Sequence, residues 1–416
     1  MKRPVLILGW IPRIVITIAR SLHRHGVPVD LVSFLPYPPL PSFALREFRS
    51  VPRPDMDRKE FVRKLREFIL TRGHDMVVVA DDCMLAAVTE HYDDLADITH
   101  VACPPPAVTR LVLDKSATLR IAQGCGIHVP KTVVVCNSSQ LQDLVGGMPF
   151  PWIVKPAQKE TRMEEVKSST LMAADDVASS FPKGQEFDPP MLVQEFCAGT
   201  GVGVEILLHR GECIAAFQHR RLKELPYTGG VSVTAVAEHL DEALLESSLT
   251  LLRTLQWDGV AMVEYKVDSA GRAVLMEVNG RYWGTIALPI FAGIDFPLYQ
   301  WQLVHGERVE AAKTHAAGMK WRWTIGYLDR LYTLCAKARY SSAARRALGE
   351  SLGNAFPDFR PSVRDATFDF DDPMASLIPL LRIMWYFTSH TAARAWRKPA
   401  FARQPRGKSS LTPSKT

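Results

Sequence analysis

The stretch of sequence richest in groups that can do chemistry runs from Val260 to Trp283. Two short apolar segments, Val260 to Val267 and Ala273 to Val278, read as strands joined at a turn of Ser269, Ala270, Gly271 and Arg272. If Asp268 and Ala273 flank that turn, antiparallel register sets Glu264 directly opposite Glu277. Side chains alternate along a strand, so Glu277 and Asn279 share one face. Val274, Met276 and Val278 then meet Val263, Tyr265 and Val267 on the other, apolar face. Facing carboxylates with Cβ atoms about 4.5–5.5 Å apart destabilise a sheet unless a cation neutralises them. Two carboxylates and an amide oxygen are hard donors that suit Mg²⁺ better than zinc and leave positions for water and phosphate. The same residues also allow a plain solvated hairpin face on which Arg281 pairs with one carboxylate. Arg281, two residues past Asn279, could project from that face, where a planar guanidinium would steady a transferring phosphoryl group.

Other cations occupy positions with two readings. Lys155 ends the apolar run Trp152-Ile153-Val154 and precedes Pro156, so it either snorkels to the surface or meets an anion where a buried strand emerges. Lys115, after Asp114, begins a helix whose first amides can receive an anion, or is an ordinary first-turn surface residue. From His219 to Ser232 a basic strand end runs into a loop containing Gly229 and Gly230. Arg220 could clamp a carboxylate there in bidentate fashion, with the Gly230 to Ser232 backbone close to the reacting group; a surface strand followed by a turn is the other reading.

These residues need elements to hold them. The chain has 416 residues, enough for two or three packed units. Val5 to Leu8, a helical pattern from Ile14 to His25 and Val27 to Phe34 read as strand, helix, strand, the opening of a parallel sheet. A helix near Arg58 to Thr71 and a strand from Met76 to Ala80, ending at Asp81-Asp82, complete an open α/β unit over residues 1–108. Residues 109–190 form a smaller second unit. From Met191 the pattern turns antiparallel, with strands at Met191–Phe196, Val202–Leu208 and Cys213–Arg221, a helix from Asp241 to Gln256 and the hairpin above, giving an α+β unit over 191–310. Residues 311–395 read as a helical extension with aromatic clusters, and 396–416 as a flexible tail.

The formal charge of +6 is concentrated in that tail. Arg394 to Thr416 carries seven basic residues and no acidic one, leaving 43 basic against 44 acidic residues before it. The body therefore has no polyanion-binding signature, and no specific nucleic-acid partner is expected. Seven cysteines without a C-x-x-C pair read as reduced thiols of a cytoplasmic protein. No segment has the length and apolarity of a transmembrane helix; Leu377 to Phe387, interrupted by Arg382, leaves a peripheral membrane contact open. Homodimerisation also stays open. A relaxed phosphate-loop pattern from Ala402 to Ser409 lacks the strand and helix such a loop needs.

The motifs taken together, and in this order, resemble the ATP-grasp superfamily, in particular its carboxylate–amine ligase and carbamoyl-phosphate-synthase-like branches. They are Asp114-Lys115 with Gly126-Ile-His-Val-Pro-Lys-Thr132, Ile153-Val-Lys155-Pro, Val193-Gln-Glu195-Phe-Cys-Ala-Gly199, Met262-Val-Glu264-Tyr and Met276-Glu-Val-Asn-Gly-Arg-Tyr-Trp-Gly284. The resemblance spans about residues 1 to 305. It implies an ATP-grasp fold, with an open parallel α/β domain before it and a helical extension after it. It also implies ATP with one or two Mg²⁺ ions, Mn²⁺ being an alternative metal. Lys115 and Lys155 match the lysines that bind nucleotide phosphates, and Glu195 with the Phe196 backbone matches the hinge that holds adenine. Glu264, Glu277 and Asn279 match the metal ligands, and Arg281 the arginine near the γ-phosphate and acyl phosphate. The implied reaction joins a small carboxylate to a small amine through an acyl phosphate, releasing ADP and phosphate; a catalytically silent ATP-binding regulatory or scaffold protein is the alternative. Two features depart from the pattern. The loop after Lys155 (Ala157-Gln-Lys-Glu-Thr161) lacks glycines, which gives Lys159 and Arg162 a role at the phosphates or leaves closure weak, and only Glu205 offers itself as a ribose carboxylate.

Overall fold

The computed structural model describes residues 2–159, 169–311, 315–375, 377–378 and 381. Arg162, most of Leu377 to Phe387 and the basic tail lie outside the described residues.

The first sheet comprises β1 (Val5–Leu8), β2 (Val29–Ser33), β3 (Glu47–Ser50), β4 (Met76–Val79) and β5 (His100–Val101), all parallel, in the order β3-β2-β1-β4-β5. β1, β2 and β4 are continuous buried runs, as parallel strands covered on both faces require. Helix Pro12–Arg24 begins with Pro at its first position, where a missing N–H costs nothing, and buries Ile14, Val15, Ile18, Ala19 and Leu22. Helix Arg58–Arg72 is capped by the Asp57 carboxylate, which accepts from the Glu60 N–H, and stops at Gly73 in the left-handed region.

A second, antiparallel sheet is built from β6 (Thr132–Asn137), β7 (Trp152–Pro156), β8 (Ser169–Leu171) and β9 (Glu186–Glu195), ordered β6-β9-β7-β8. Trp152 and Val154 of β7 point into its core, so alternation turns Ile153 and Lys155 to the opposite face.

The third sheet is the largest. β10 (Thr200–His209), β11 (Glu212–Leu225), β12 (Val231–Glu238), β13 (Gly259–Val267), β14 (Ala273–Asn279), β15 (Lys320–Arg322) and β16 (Arg364–Asp365) are ordered β14-β13-β10-β11-β12-β15-β16. One face packs, through Val204, Ile206, Val263 and Tyr265, on helix Glu242–Thr254. The other shares a core with the first sheet and helix Pro12–Arg24, through Leu207, Phe217, Ala235 and Met262. Two expectations change here. β12 is a strand where a loop was expected through Ser232. The segment after residue 311, expected to be helical, does form helices Thr324–Lys337 and Ser342–Gly353 but also returns β15 and β16 to the large sheet.

Candidate active site

The β13–β14 hairpin pairs Glu264 with Glu277, by a route the turn alone does not provide. Val267 pairs with Ala273 and Tyr265 with Leu275, a register that left unbroken would set Glu264 against Met276. The extra residue is Met276 of β14, a bulge opposite the step between Glu264 and Tyr265 of β13. The apolar face is accordingly Leu275 and Val278 with Val263 and Tyr265, not the expected Val274 and Met276.

On the other face the carboxylates are tightly engaged. The Asn279 Nδ2 donates to Glu264 Oε1 at 2.8 Å and to Glu277 Oε1 at 3.3 Å. Arg221 Nη2 lies 2.5 Å from Glu264 Oε2. Lys159 Nζ donates to the Val278 carbonyl and lies 3.3 Å from Asn279 Oδ1. An ammonium group therefore sits against the side chains that would receive a metal ion. Among the described residues no cluster of three His, Cys, Asp or Glu side chains is assembled. A divalent ion here would rest on Glu264, Glu277 and the Asn279 amide oxygen, with further oxygens from nucleotide and water. That hard-oxygen set, already answered by a cation, fits Mg²⁺.

Lys155 and Lys115 approach from the neighbouring elements. The Asp114 carboxylate caps helix Lys115–Gly124 by accepting from the Ser116 and Ala117 amides, fixing Lys115 in the first turn. Its Nζ donates to the Pro156 carbonyl at 2.9 Å and the Gln158 carbonyl at 3.4 Å, just beyond Lys155. Burial lowers both lysines, against the pull of Glu277, and brings Lys115 to about 8. For Glu277, burial acts to raise the carboxyl, but Lys159, Lys155, Lys115 and Arg281 outweigh it and hold the group well below the usual carboxylate range. Arg281 reaches across 199 residues of sequence to Asp82, Nη2 to Oδ2 2.7 Å, and so ties the hairpin to the end of β4. Burial would raise Asp82, yet Arg281 and Lys159 hold it below its ordinary value. Its neighbour Asp81, buried and accepting from the Trp10 and Met84 amides, is pushed up to about 7 by desolvation.

At the end of β9, the Glu195 N–H donates to the Lys131 carbonyl and its carboxylate accepts from the Lys131 amide at 2.9 Å. The Phe196 amide donates to the Pro151 carbonyl, and the Phe196 ring is exposed. The Phe196 N–H is therefore already engaged within the chain.

The expected substrate residues fall differently. β11 alternates so that Phe217, His219 and Arg221 share the face of Glu264, and Arg220 points to the other, where its Nε lies 2.5 Å from Glu238. Arg220 is thus not brought to the carboxylates; Arg221 is, and sequence reasoning missed it by one residue. Arg221 also holds the Gly230 carbonyl at 2.9 Å and Glu224 at 3.2 Å, and Glu224 in turn binds Lys266 at 3.1 Å. Ser232 is buried in β12, its hydroxyl directed to the Thr234 carbonyl. Glu205, the candidate ribose carboxylate, is fully buried 2.7 Å from the buried His219 and is not presented to a nucleotide.

Cations from the second sheet and its neighbouring helix meet the carboxylates of the large third sheet, behind an open parallel α/β unit, and this architecture is the ATP-grasp fold. An ATP-grasp domain is present: residues 187–326 match a family model described as ATP-grasp in the biosynthetic pathway with Ter operon. It is 28% identical over 213 residues to the D-alanine–D-alanine ligase of Pelotomaculum thermopropionicum, covering 45% of this chain and 65% of that protein. It is 26% identical over 174 residues to that of Aquifex aeolicus, covering 40% and 58%. The chain thus spans less than two thirds of the length of these relatives. In fold it is similar to the L-amino acid ligase from Bacillus licheniformis, with a TM-score of 0.57 at 16% identity over 73% of this chain and 74% of that one. It is also similar to N5-carboxyaminoimidazole synthetase from Staphylococcus aureus complexed with ADP, with a TM-score of 0.61 at 12% identity over 77% and 82%.

Proposed function

We propose that the protein is an ATP- and Mg²⁺-dependent ligase that joins a carboxylate to an amine. The observation that carries this reading is the convergence of Lys115, Lys155, Lys159 and Arg281, from separate elements, on the half-buried Glu277. Phosphoryl transfer needs positioning and neutralisation of charge more than covalent help from the protein, and this constellation offers both. Mg²⁺ held by Glu264, Glu277 and Asn279 would screen the charge on the β- and γ-phosphate oxygens. Lys115 and Lys155 bind phosphate oxygens, and the Glu195–Phe196 hinge lies where adenine would be gripped. A carboxylate oxygen of the first substrate attacks the γ-phosphorus, the bond to the ADP oxygen breaks, and ADP leaves with the electron pair. The amine nitrogen then attacks the acyl carbon, phosphate departs with its electron pair and the nitrogen gives up a proton. Arg281, steadied by Asp82, counters the charge on the oxygens of the transferring group. Arg220, expected to clamp a substrate carboxylate, has no part in this scheme, and Arg221 orients Glu264. The domain limits given above, with the nucleotide between the second and third sheets, belong to the same proposal.

The test is ADP formation with ATP and Mg²⁺ in the presence of pooled carboxylates and amines. ADP that appears only when both components are present supports the ligase. Tight ATP binding with no ADP from any pair would return the alternative, a nucleotide-binding regulatory or scaffold protein.

A further inference from the structure

The first sheet has its topological switch point between β1 and β4, because the chain leaves β1 toward β2 and β3 and later adds β4 on the opposite side. Open parallel sheets bind ligands in the crevice outside the carboxyl ends of the strands at such a point. Here the crevice is flanked by the turn from Gly9 to Ile11 after β1, with Arg13 in the first turn of the helix that follows, and by Asp81-Asp82 after β4. A Cβ added at Gly9 would come within 2.7 Å of the Ala80 Cβ and 3.3 Å of Asp81 Oδ2, so the two turns are in close contact. Arg281, from the β14 side, joins them through Asp82.

Arg13 is the anomaly in this crevice. Its guanidinium lies 4.0 Å over the Trp323 ring and its Nε donates to the Gly284 carbonyl at 3.2 Å. Among the described residues it forms no ion pair, and its terminal nitrogens have no hydrogen-bond acceptor. Burial and the nearby Arg281 lower it to about 10, the mark of a cation kept without a counter-ion. Asp81 does not supply one, since desolvation leaves it largely ready to take a proton near neutrality and both its oxygens already accept amides. The guanidinium also lies close against the backbone of Gly284: a Cβ at residue 284 would stand 2.7 Å from Nη2 and 2.8 Å from Nε and would push the guanidinium from its present place. Gly284 lies three residues beyond Arg281, which sets Arg13 beside the reacting end of the site. Helix Pro12–Arg24 starts at the same spot with Ile11, which has no side-chain acceptor, at its cap. Its positive end adds to the preference for an anion.

We propose that the β1–β4 crevice is a subsite for a substrate carboxylate that the reaction does not consume, and that Arg13 holds it. The substrate class is then a component carrying a free carboxylate in addition to the reacting group, as an amino acid does. This rests on the ligase reading, and deepens it by assigning the specificity-determining residue.

The experiment labels the full-length protein with phenylglyoxal and follows Arg13 by peptide mass spectrometry. It is run with Mg²⁺-ADP alone, with a pool of common amino acids added, and with the same pool as carboxamides. Labelling of Arg13 that the acids suppress and the carboxamides do not is the expected result. An unreactive Arg13, or protection that is absent or equal for acids and carboxamides, overturns the proposal. Failure of the ligase reading is a separate result, ADP from no acid and amine pair, and leaves a protected Arg13 standing as an anion subsite. Where turnover is found, Arg13→Gln should raise the KM of the carboxylate-bearing component about 10- to 100-fold, the loss of one charge-assisted contact, with the KM for ATP unchanged.

Discussion

The β13–β14 hairpin and the β11 strand beside the site reward the same reasoning differently. Both depend on which of two adjacent residues faces the cleft. In the hairpin the acidic pair is in place although the turn would have put it one residue out of step, because a bulge restores the offset. In β11 the irregularities fall at Ile214 and beyond Arg221, so over the unbroken stretch between them plain alternation selects Arg221 over Arg220. Position relative to a fixed strand neighbour, here Gly203 opposite both Glu264 and His219, is a safer guide to facing than distance from a turn.

Substitutions can break that contrast. The largest effect is expected at the hairpin. Glu277→Gln removes the anion on which four cations converge and should lower kcat on the order of 10²–10³-fold in an ADP-release assay. A rate within twofold of the parent would remove Glu277 from the phosphoryl-transfer machinery.

Next comes the pair in β11. Arg221→Gln strips a mostly buried partner from Glu264, with both side chains under one fifth exposed, and should cost about 3 kcal/mol in stability along with most of the activity. Arg220→Gln breaks a half-exposed contact with Glu238 and should cost under about 1 kcal/mol. Denaturant midpoints of the two variants decide the order; equal losses would mean that alternation does not separate their roles.

Lys159→Gln sharpens the comparison from outside. With the ammonium gone from Asn279 and the Val278 carbonyl, Mn²⁺ should bind the nucleotide-free protein about tenfold tighter, as read from the electron spin resonance of free Mn²⁺. Unchanged or weaker affinity would show that Lys159 does not compete for the site. The smallest effect is one of pH. Because burial brings Lys115 to about 8, kcat/KM for ATP should fall as pH rises through that value and the free enzyme loses the charge. Lys115→Arg, which stays protonated, should remove that limb from the profile.

Much of the architecture was legible because it follows from periodicity. Fully buried strands such as Val5–Leu8 and Met76–Val79 announce a parallel sheet, Asp114 announces a helix cap, and the alternation of Trp152, Val154 and Lys155 turns the lysine to the cleft. What escaped depends on contacts between distant segments. In sequence Asp82 only ends a strand and Arg13 only precedes a helical pattern; nothing local to either shows Arg281 at the first or Trp323 and Gly284 at the second. Glu205 looked available because nothing in its local pattern reveals His219 and Thr285 packed against it. β15 has only three residues, too few to show a period, and pairs with a strand more than eighty positions earlier.

That short strand has a practical consequence for anyone dividing the protein into pieces. β15 occupies the hydrogen-bonding edge of β12 from Thr234 to Val236, β16 caps β15, and Arg330 from the following helix donates to the Glu224 carbonyl. A chain cut at residue 310 would leave β12 as a bare edge with buried alanine and valine behind it, and an uncovered edge of that kind recruits other chains. Insolubility of such a fragment would reflect a missing edge strand, and would say nothing against the catalytic half of the sheet.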